Sequence, residues 1–442
     1  MTADARDLPP GQTRGEPLAI NFEGQTIRAF AGESVAVALW AADVRTLGRS
    51  SKYHRPRGAF CLEGHCASCY LRIDGRPNRR ACMTPVHPDL RCERQNAFPS
   101  VDVDVLMAAD WLFPRGMDHH TLMTGSRVAN KLFLKLVRQM GGSGTLPDQA
   151  PPALKRPDDE TVDLCIVGGG PAGLAAARAA AETAPGARIV LFDEQTTPGG
   201  SLLAEPAGTA AAAALARAAT AAGARLVSGA TAIAFYPEDG AGILAVATED
   251  KLVRVSARRY LYATGAYDQN LPFFDNDRPG IISARACGRL VFHHGVRPAA
   301  KRRSVVVLHG SPYAARLAEG LAAAGIKVEV VDLALHRVVA ARGVKVVRGV
   351  DVESHGENNQ RTVKGDLVAV GVSPAPASEL PRQHGAPVVL DPARGGFAVQ
   401  IDPQFACGPG VHACGDVTGF AGPQAALDAG QRAGQVIGKA LR

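Results

Sequence analysis

The stretch CLEGHCASCYLRIDGRPNRRAC, residues 61–82, decides how the rest of the chain is read. Cys61, Cys66 and Cys69 are spaced C-x4-C-x2-C, and Cys82 follows after twelve intervening residues. A [2Fe–2S] cluster needs four thiolates converging on two irons, three from one loop and a fourth from beyond a hairpin. Gly64 gives the loop a position without a Cβ, where backbone has to lie close to inorganic sulfide. Asp74-Gly75 is a hairpin signal between a strand at Tyr70–Ile73 and the return toward Cys82.

Other uses of these cysteines fit less well. A four-cysteine zinc site shows two separate C-x2-4-C knuckles, whereas here three ligands share one loop. Cys66-Ala-Ser-Cys69 as a redox dithiol leaves Cys61 and Cys82 unexplained. A Rieske centre needs two histidines, and only His65 lies inside the loop.

The chain has 442 residues, enough for two or three cores, and its 46% hydrophobic and 21% charged content is that of a globular protein. No apolar run approaches a membrane span. Residues 1–16 lack the apolar core of a signal peptide and read as a flexible arm. Cys92, Cys165, Cys287, Cys407 and Cys414 have no disulfide-like spacing, which favours a reducing cytoplasm. The net charge is +7, and Arg45, Arg49, Lys52, Arg55 and Arg57 crowd ahead of the cluster loop. No nucleic-acid module or aromatic platform accompanies them, so they read as a partly solvated, partly interfacial basic loop.

Residues 18–30 alternate apolar and polar about Glu23-Gly24, the pattern of a hairpin with one buried face. Helical spacing follows over Val35–Val44. Hairpin, helix, cysteine loop and final strands form the order of a ferredoxin-like β-grasp domain over 17–103. Residues 104–160 read as a helical connector and linker, with apolar residues at helical spacing over 105–140 and a Gly/Pro/charged tract over 141–160. His119 and His120 lie in the connector and read as packed or exposed histidines rather than ligands.

A second site opens at VDLCIVGGGPAGLAAARAAAETAPGARIVLFDEQTTPGGS. Val162–Val167 reads as a buried parallel strand. Gly168-x-Gly170-x-x-Gly173 opens a helix, with Pro171 and Ala172 in its first turn, and Ile189–Phe192 is a second strand ending at Asp193-Glu194. Strand, glycines, helix, strand and acid within about thirty residues form a dinucleotide-binding fingerprint. Gly168 permits the turn, Gly170 admits a pyrophosphate and Gly173 lets helix and strand pack. Asp193, or Glu194 beside it, can accept hydrogen bonds from ribose hydroxyls. Gly200 and Ser201 belong to the same site. Residues 205–225 read as an alanine-rich helix and 242–255 as a small meander that leads to a strand stopping at Thr264-Gly265. Near the C-terminus a strand ends at Cys414-Gly415-Asp416, where an Asp can bind a ribityl chain. These parts form an FAD-binding domain over 161–270 and 376–442. An inserted second nucleotide fold spans 271–375, with a strand at Ser304–Leu308. Its turn, His309-Gly310-Ser311-Pro312-Tyr313-Ala314, keeps one glycine, and Tyr313 obstructs phosphate approach, so a ligand there is lost or altered. The fold class is α/β: an N-terminal β-grasp [2Fe–2S] ferredoxin-like domain followed by a flavoprotein with two Rossmann-like dinucleotide-binding domains, of the pyridine nucleotide-disulfide oxidoreductase type.

The residues now in hand resemble the α subunit of heteromeric sarcosine oxidase and its relatives, the opine oxidases, proline and hydroxyproline dehydrogenases and hydrogen cyanide synthase. GRSSKYHRPRG (48–58), ATGAYDQNLPFFDNDRPGI (263–281) and Gly295-Val296-Arg297-Pro298 carry the resemblance. The four cysteines are similar to those of the dehydrogenase and cyanide-synthase members. The resemblance implies an oxidoreductase subunit of a complex acting on the CH–NH bonds of amino or imino acids. A partner β subunit of the glycine/D-amino-acid oxidase type would carry FAD and oxidise the substrate, with a further small subunit and an FMN at the interface in some members. The present chain would receive electrons and pass them to a quinone or carrier. Its own nucleotide is FAD, with NAD or ATP as the alternatives at the same site. Two other readings are a self-contained NADH:acceptor reductase and a scaffold subunit with a structural nucleotide. No nucleophile, general acid or general base is called for in this chain.

Overall fold

The N-terminal sheet is built from two tight hairpins. Ile20, Phe22, Ala29 and Phe30 are the inward residues of the strands Pro17–Phe22 and Gln25–Phe30. The strands Tyr70–Ile73 and Arg76–Arg80 are joined by Asp74 (φ 48°) and Gly75 (φ 73°), a left-handed pair of the kind that matches strand twist. Arg91–Glu93 lies between the hairpins, parallel to Pro17–Phe22 and antiparallel to Tyr70–Ile73, completing a five-stranded sheet. The helix Val35–Ala41 is capped by the Ser34 hydroxyl and buried at every position. It stops short of the Val44 expected from spacing, because Asp43 turns left-handed at φ 65°.

The structure, a computed structural model, describes residues 4–11, 13–51, 53–112, 125–140, 146–147, 150, 153, 155–237, 242–300, 303–356 and 359–442. His119 and His120 lie outside these. Of the connector, Val105–Met107, Ala108–Leu112 and Arg127–Met140 are helical.

The chain divides into two compact units. The first comprises Met1–Ala150, Asn270–Gly310 and Leu321–Gly371; the second comprises Pro151–Gln269, Ser311–Gly320 and Val372–Arg442. Much of the stretch expected as an inserted nucleotide fold is therefore grouped with the iron–sulfur region. The contacts that do this are specific: Gly58 approaches Pro279, Arg57 pairs with Asp277 at 2.7 Å, and Ser283 N–H donates to the Phe60 carbonyl at 3.0 Å. The first unit also holds a parallel sheet in the order Ile281–Ser283, Leu367–Val372, Ser304–Gly310, Lys327–Asp332, and an antiparallel sheet of His336–Gly343, Val347–Ser354 and Gln360–Lys364.

One expectation is corrected in this unit. The arm is tied down: Leu8 is buried and its N–H donates to the Gly295 carbonyl, Arg297 N–H donates to Ala5, and Arg6 binds both carboxylate oxygens of Glu33 at 2.6 and 2.8 Å. The arginines of the basic loop are half-buried, each held by a partner. Arg45 lies 4.0 Å over the Trp40 ring and burial pushes its pKa down to about 10. Arg49 donates to the Val101 carbonyl at 2.9 Å, and Arg55 grips Asp110 through two nitrogens at 2.9 and 3.0 Å. Lys52 lies outside the described residues.

In the second unit Arg225–Ser228, Ile189–Asp193, Asp158–Val167, Leu252–Tyr262 and Val411–Ala413 run parallel in that order. Thr231–Tyr236, Ile243–Ala247 and Leu252–Tyr262 form the expected meander. The strand expected from Val162 begins at Asp158, because its polar end is held by cross-strand ion pairs of Lys251 with Asp158, Arg254 with Asp159 and Arg225 with Glu160. The helix Pro171–Thr183 packs on Pro423–Lys439 through small residues at fourfold spacing. A Cβ on Gly434 would fall 2.4 Å from the Ala176 carbonyl oxygen, and one on Gly430 would fall 2.1 Å from that of Ala172. Gly434→Ala is therefore expected to destabilise this unit by about 1–3 kcal/mol, the usual cost of overpacking. A melting temperature equal to that of the parent would show that the helices can separate freely.

Candidate iron–sulfur and dinucleotide sites

The cysteine loop winds through left-handed positions at Leu62 (φ 55°), Gly64 (φ 89°) and Ala67 (φ 55°), which folds the chain back on itself and aims backbone N–H groups inward. Glu63 N–H donates to Cys61 Sγ at 3.4 Å, and the N–H groups of Ala81 and Cys82 face Cys69 Sγ. Cys82 arrives on the turn Ala81–Met83, fixed by the bond from Ala81 N–H to the Cys69 carbonyl at 3.0 Å. The four sulfurs meet: Cys69 and Cys82 are 3.4 Å apart, and Cys61 is hydrogen-bonded to Cys66 and Cys82. Those bonds hold Cys61 and Cys69 below the ordinary thiol pKa and push Cys66 and Cys82 above it. The other five cysteines are buried, which raises them to about 12 at Cys92 and Cys414 and about 11 at Cys407, and so keeps them protonated.

Four convergent thiols with backbone N–H donors suit a sulfur-rich dinuclear centre. Among the described residues no group of three or more His, Cys, Asp or Glu side chains is arranged to hold a single metal ion. Gly64 also makes room for its neighbours within the protein. A Cβ there would meet the Met83 side chain at 2.8 Å, while Arg80 donates to the Gly64 carbonyl at 2.9 Å. Glu63 was not singled out in the sequence. Its side chain is buried against Arg289, with Arg285 at 3.8 Å. The available signal was two arginines four residues apart inside an otherwise apolar stretch, IISARACGRLVF.

In the second unit the glycine loop is shaped by contact. A Cβ on Gly168 would lie 2.3 Å from the Ala263 carbonyl oxygen, and one on Gly173 would lie 1.8 Å from that of Gly168. Gly170 caps the helix Pro171–Thr183, and Ala172 is buried in its first turn. Gly200 abuts Gly170, since a Cβ on Gly200 would be 2.8 Å from the Gly170 Cα, and Ser201 follows in the turn Gly200–Ala204. Asp193 and Glu194 separate here. Asp193 Oδ2 accepts from Gly169 N–H and Oδ1 from Gln195 N–H at 2.7 Å, so this carboxylate braces the glycine loop. Glu194 stays half-buried at the strand end.

Thr264 donates to the Ala377 carbonyl at 2.8 Å, and the Gly265 carbonyl accepts from Ala377 N–H at 3.0 Å. Gly415 reaches the first helix, where its Cβ would lie 2.7 Å from that of Ala172. Asp416 is buried, and its Oδ1 accepts from Ala421 and Gly422 N–H at 3.0 and 3.1 Å, holding the loop that starts the helix Pro423–Lys439. Two helix N-termini thus open beside one glycine loop, the arrangement that binds a pyrophosphate. Tyr313 is buried and its hydroxyl donates to the Ala204 carbonyl at 2.9 Å.

Residues 15–97 match the 2Fe-2S iron-sulfur cluster binding domain family, and residues 162–434 match the pyridine nucleotide-disulphide oxidoreductase family. Sarcosine oxidase subunit alpha of Rhizobium meliloti (strain 1021) is 30% identical over 402 residues, 82% of this chain and 40% of that protein. Hydrogen cyanide synthase subunit HcnA of Pseudomonas aeruginosa is 43% identical over 79 residues, 18% of this chain and 75% of that protein. The crystal structure of L-proline dehydrogenase from P. horikoshii shares the fold, with a TM-score of 0.73 at 21% identity over 97% of this chain and 74% of that one. The chain spans about two fifths of the length of the sarcosine oxidase subunits it matches. Among the described residues no helix is long and apolar enough to cross a membrane.

The two sites are expected to fail separately. Cys66→Ser should lose iron and sulfide while the chain stays folded and keeps its nucleotide; unchanged iron would overturn the ligand set. Gly173→Ala should lose the nucleotide and keep the iron, and a parent-like nucleotide content would show that the loop tolerates the Cβ.

Proposed function

We propose, for a chain that belongs to the pyridine nucleotide-disulphide oxidoreductase family and to the line of the sarcosine oxidase α subunits, that it is the electron-transfer subunit of a flavin- and [2Fe–2S]-dependent amine or imino-acid dehydrogenase or oxidase. One observation carries the reading: a four-thiol loop and a dinucleotide cradle with two converging helix N-termini occur in one chain. A bound flavin takes up an electron pair and releases electrons singly, and a [2Fe–2S] cluster takes one at a time. Cys61, Cys66, Cys69 and Cys82 would hold the cluster.

The nucleotide in this proposal is FAD. Gly168, Gly170, Pro171, Ala172, Gly173, Gly200 and Ser201 would receive its pyrophosphate, and Thr264 and Gly265 would floor the cradle. Asp193 is committed to two backbone N–H groups, so Glu194 takes the ribose. Gly415 and Asp416 bring the second helix N-terminus to the same ligand, which suits the longer FAD better than NAD or ATP. The substrate's CH–NH bond would be oxidised on a partner β subunit carrying its own FAD, with FMN at the shared interface and a quinone or carrier as final acceptor. The nine free cysteines support a reducing compartment such as the cytoplasm.

Against a self-contained NADH reductase stands the turn at Gly310–Tyr313, whose tyrosine is buried where that fold would need open glycine backbone. Chromatography of the nucleotide released on denaturation should find about one FAD per chain. NAD or ATP in its place would contradict the FAD assignment. Anaerobic NADH should leave the isolated chain oxidised, and prompt bleaching would favour the reductase.

A further inference from the structure

The cysteine loop carries one carboxylate that no ligand role explains. Glu63 sits two residues after Cys61, is 8% exposed, and its own N–H donates to Cys61 Sγ. Its carboxylate meets Arg289 through Oε1 and faces Arg285 through Oε2 at 3.8 Å. Both arginines are 5% exposed. They come from one segment: Ser283 caps the short helix Ala284–Gly288, which continues as the π-helical turn Arg289–His293. Spacing of four residues puts the two guanidinium groups on one side. The same segment is bonded to the loop's entrance, where Ser283 N–H donates to Phe60. π turns within helices are rare and occur frequently at functional sites.

Two buried cations face one buried carboxylate beside the loop. Taking charged groups out of water is costly, so the arrangement is a poor source of stability compared with apolar packing. Its value lies in the field and in the fixed loop. Adding an electron to a cluster held by four thiolates adds negative charge, which nearby cations favour and a nearby carboxylate opposes, and low dielectric keeps both effects large.

We infer that the Arg285–Glu63–Arg289 triad is a charge clamp on the cluster loop: it fixes the Glu63 N–H on Cys61 and sets how readily the cluster is reduced. This rests on the reading of Cys61, Cys66, Cys69 and Cys82 as cluster ligands. Glu63 and Arg289 are positioning residues that act through the loop and its field.

The test is a redox titration of the purified, anaerobic full chain followed by electron paramagnetic resonance, with iron and sulfide measured on every sample. Glu63→Gln should raise the midpoint potential, and Arg289→Gln should lower it. Arg289→Lys, which keeps the charge, should return most of the shift. The milder Arg285→Gln should lower the potential by less, and it covers the case in which Arg289→Gln does not fold. Shifts of the same sign in Glu63→Gln and Arg289→Gln, or parent-like potentials in both at full iron content, would overturn the clamp. A parent chain without a two-iron signal would instead overturn the ligand reading beneath it.

Discussion

Gathering four cysteine sulfurs within contact distance is the constraint on which the first unit depends. Two unit charges about 4 Å apart repel by roughly 4 kcal/mol at an effective dielectric of 20, so four free thiolates would push the loop open. Cys69 and Cys82 lie 3.4 Å apart, which shows how closely the sulfurs are gathered. With metal, binding energy becomes folding energy for the loop. The backbone is shaped for this gathering by its left-handed turns and by the Glu63 N–H directed at Cys61. The rest of the unit buttresses this: the helix Val35–Ala41 behind, the bond from Ser283 to Phe60, and the arm over Gly295.

The second unit solves a different problem, bringing backbone close enough to hold a pyrophosphate without side chains in the way. Its means are absent Cβ atoms and small residues. Gly168 and Gly173 close the loop, and Gly430 and Gly434 draw the C-terminal helix onto the alanines of the first helix. Asp193 and Asp416 then use their carboxylates on backbone N–H groups, so rigidity near the ligand comes from loops braced from within.

Local patterns were legible in the sequence where one residue type meets one physical demand. The spacing of Cys61, Cys66, Cys69 and Cys82, the Asp74-Gly75 turn and the strand–glycine–helix order at 162–173 are of that kind. Long-range pairings were not legible. Which partners Arg49, Arg55 and Arg57 meet could not be read locally, because Val101, Asp110 and Asp277 arrive from distant segments. The arm looked mobile because its anchors, Gly295 and Arg297, lie nearly three hundred residues away. Glu63 was passed over because its partners, Arg285 and Arg289, lie more than two hundred residues away. Grouping of 270–310 with the N-terminal domain likewise depends on contacts that no local periodicity encodes.

The most direct measurement of the central claim is a low-temperature electron paramagnetic resonance spectrum of the anaerobic chain after dithionite reduction, with metal analysis of the same sample. A rhombic signal from a reduced [2Fe–2S] centre, integrating to about one spin for each pair of irons, is the predicted result. A silent spectrum from a folded chain, with zinc in place of iron, would contradict it.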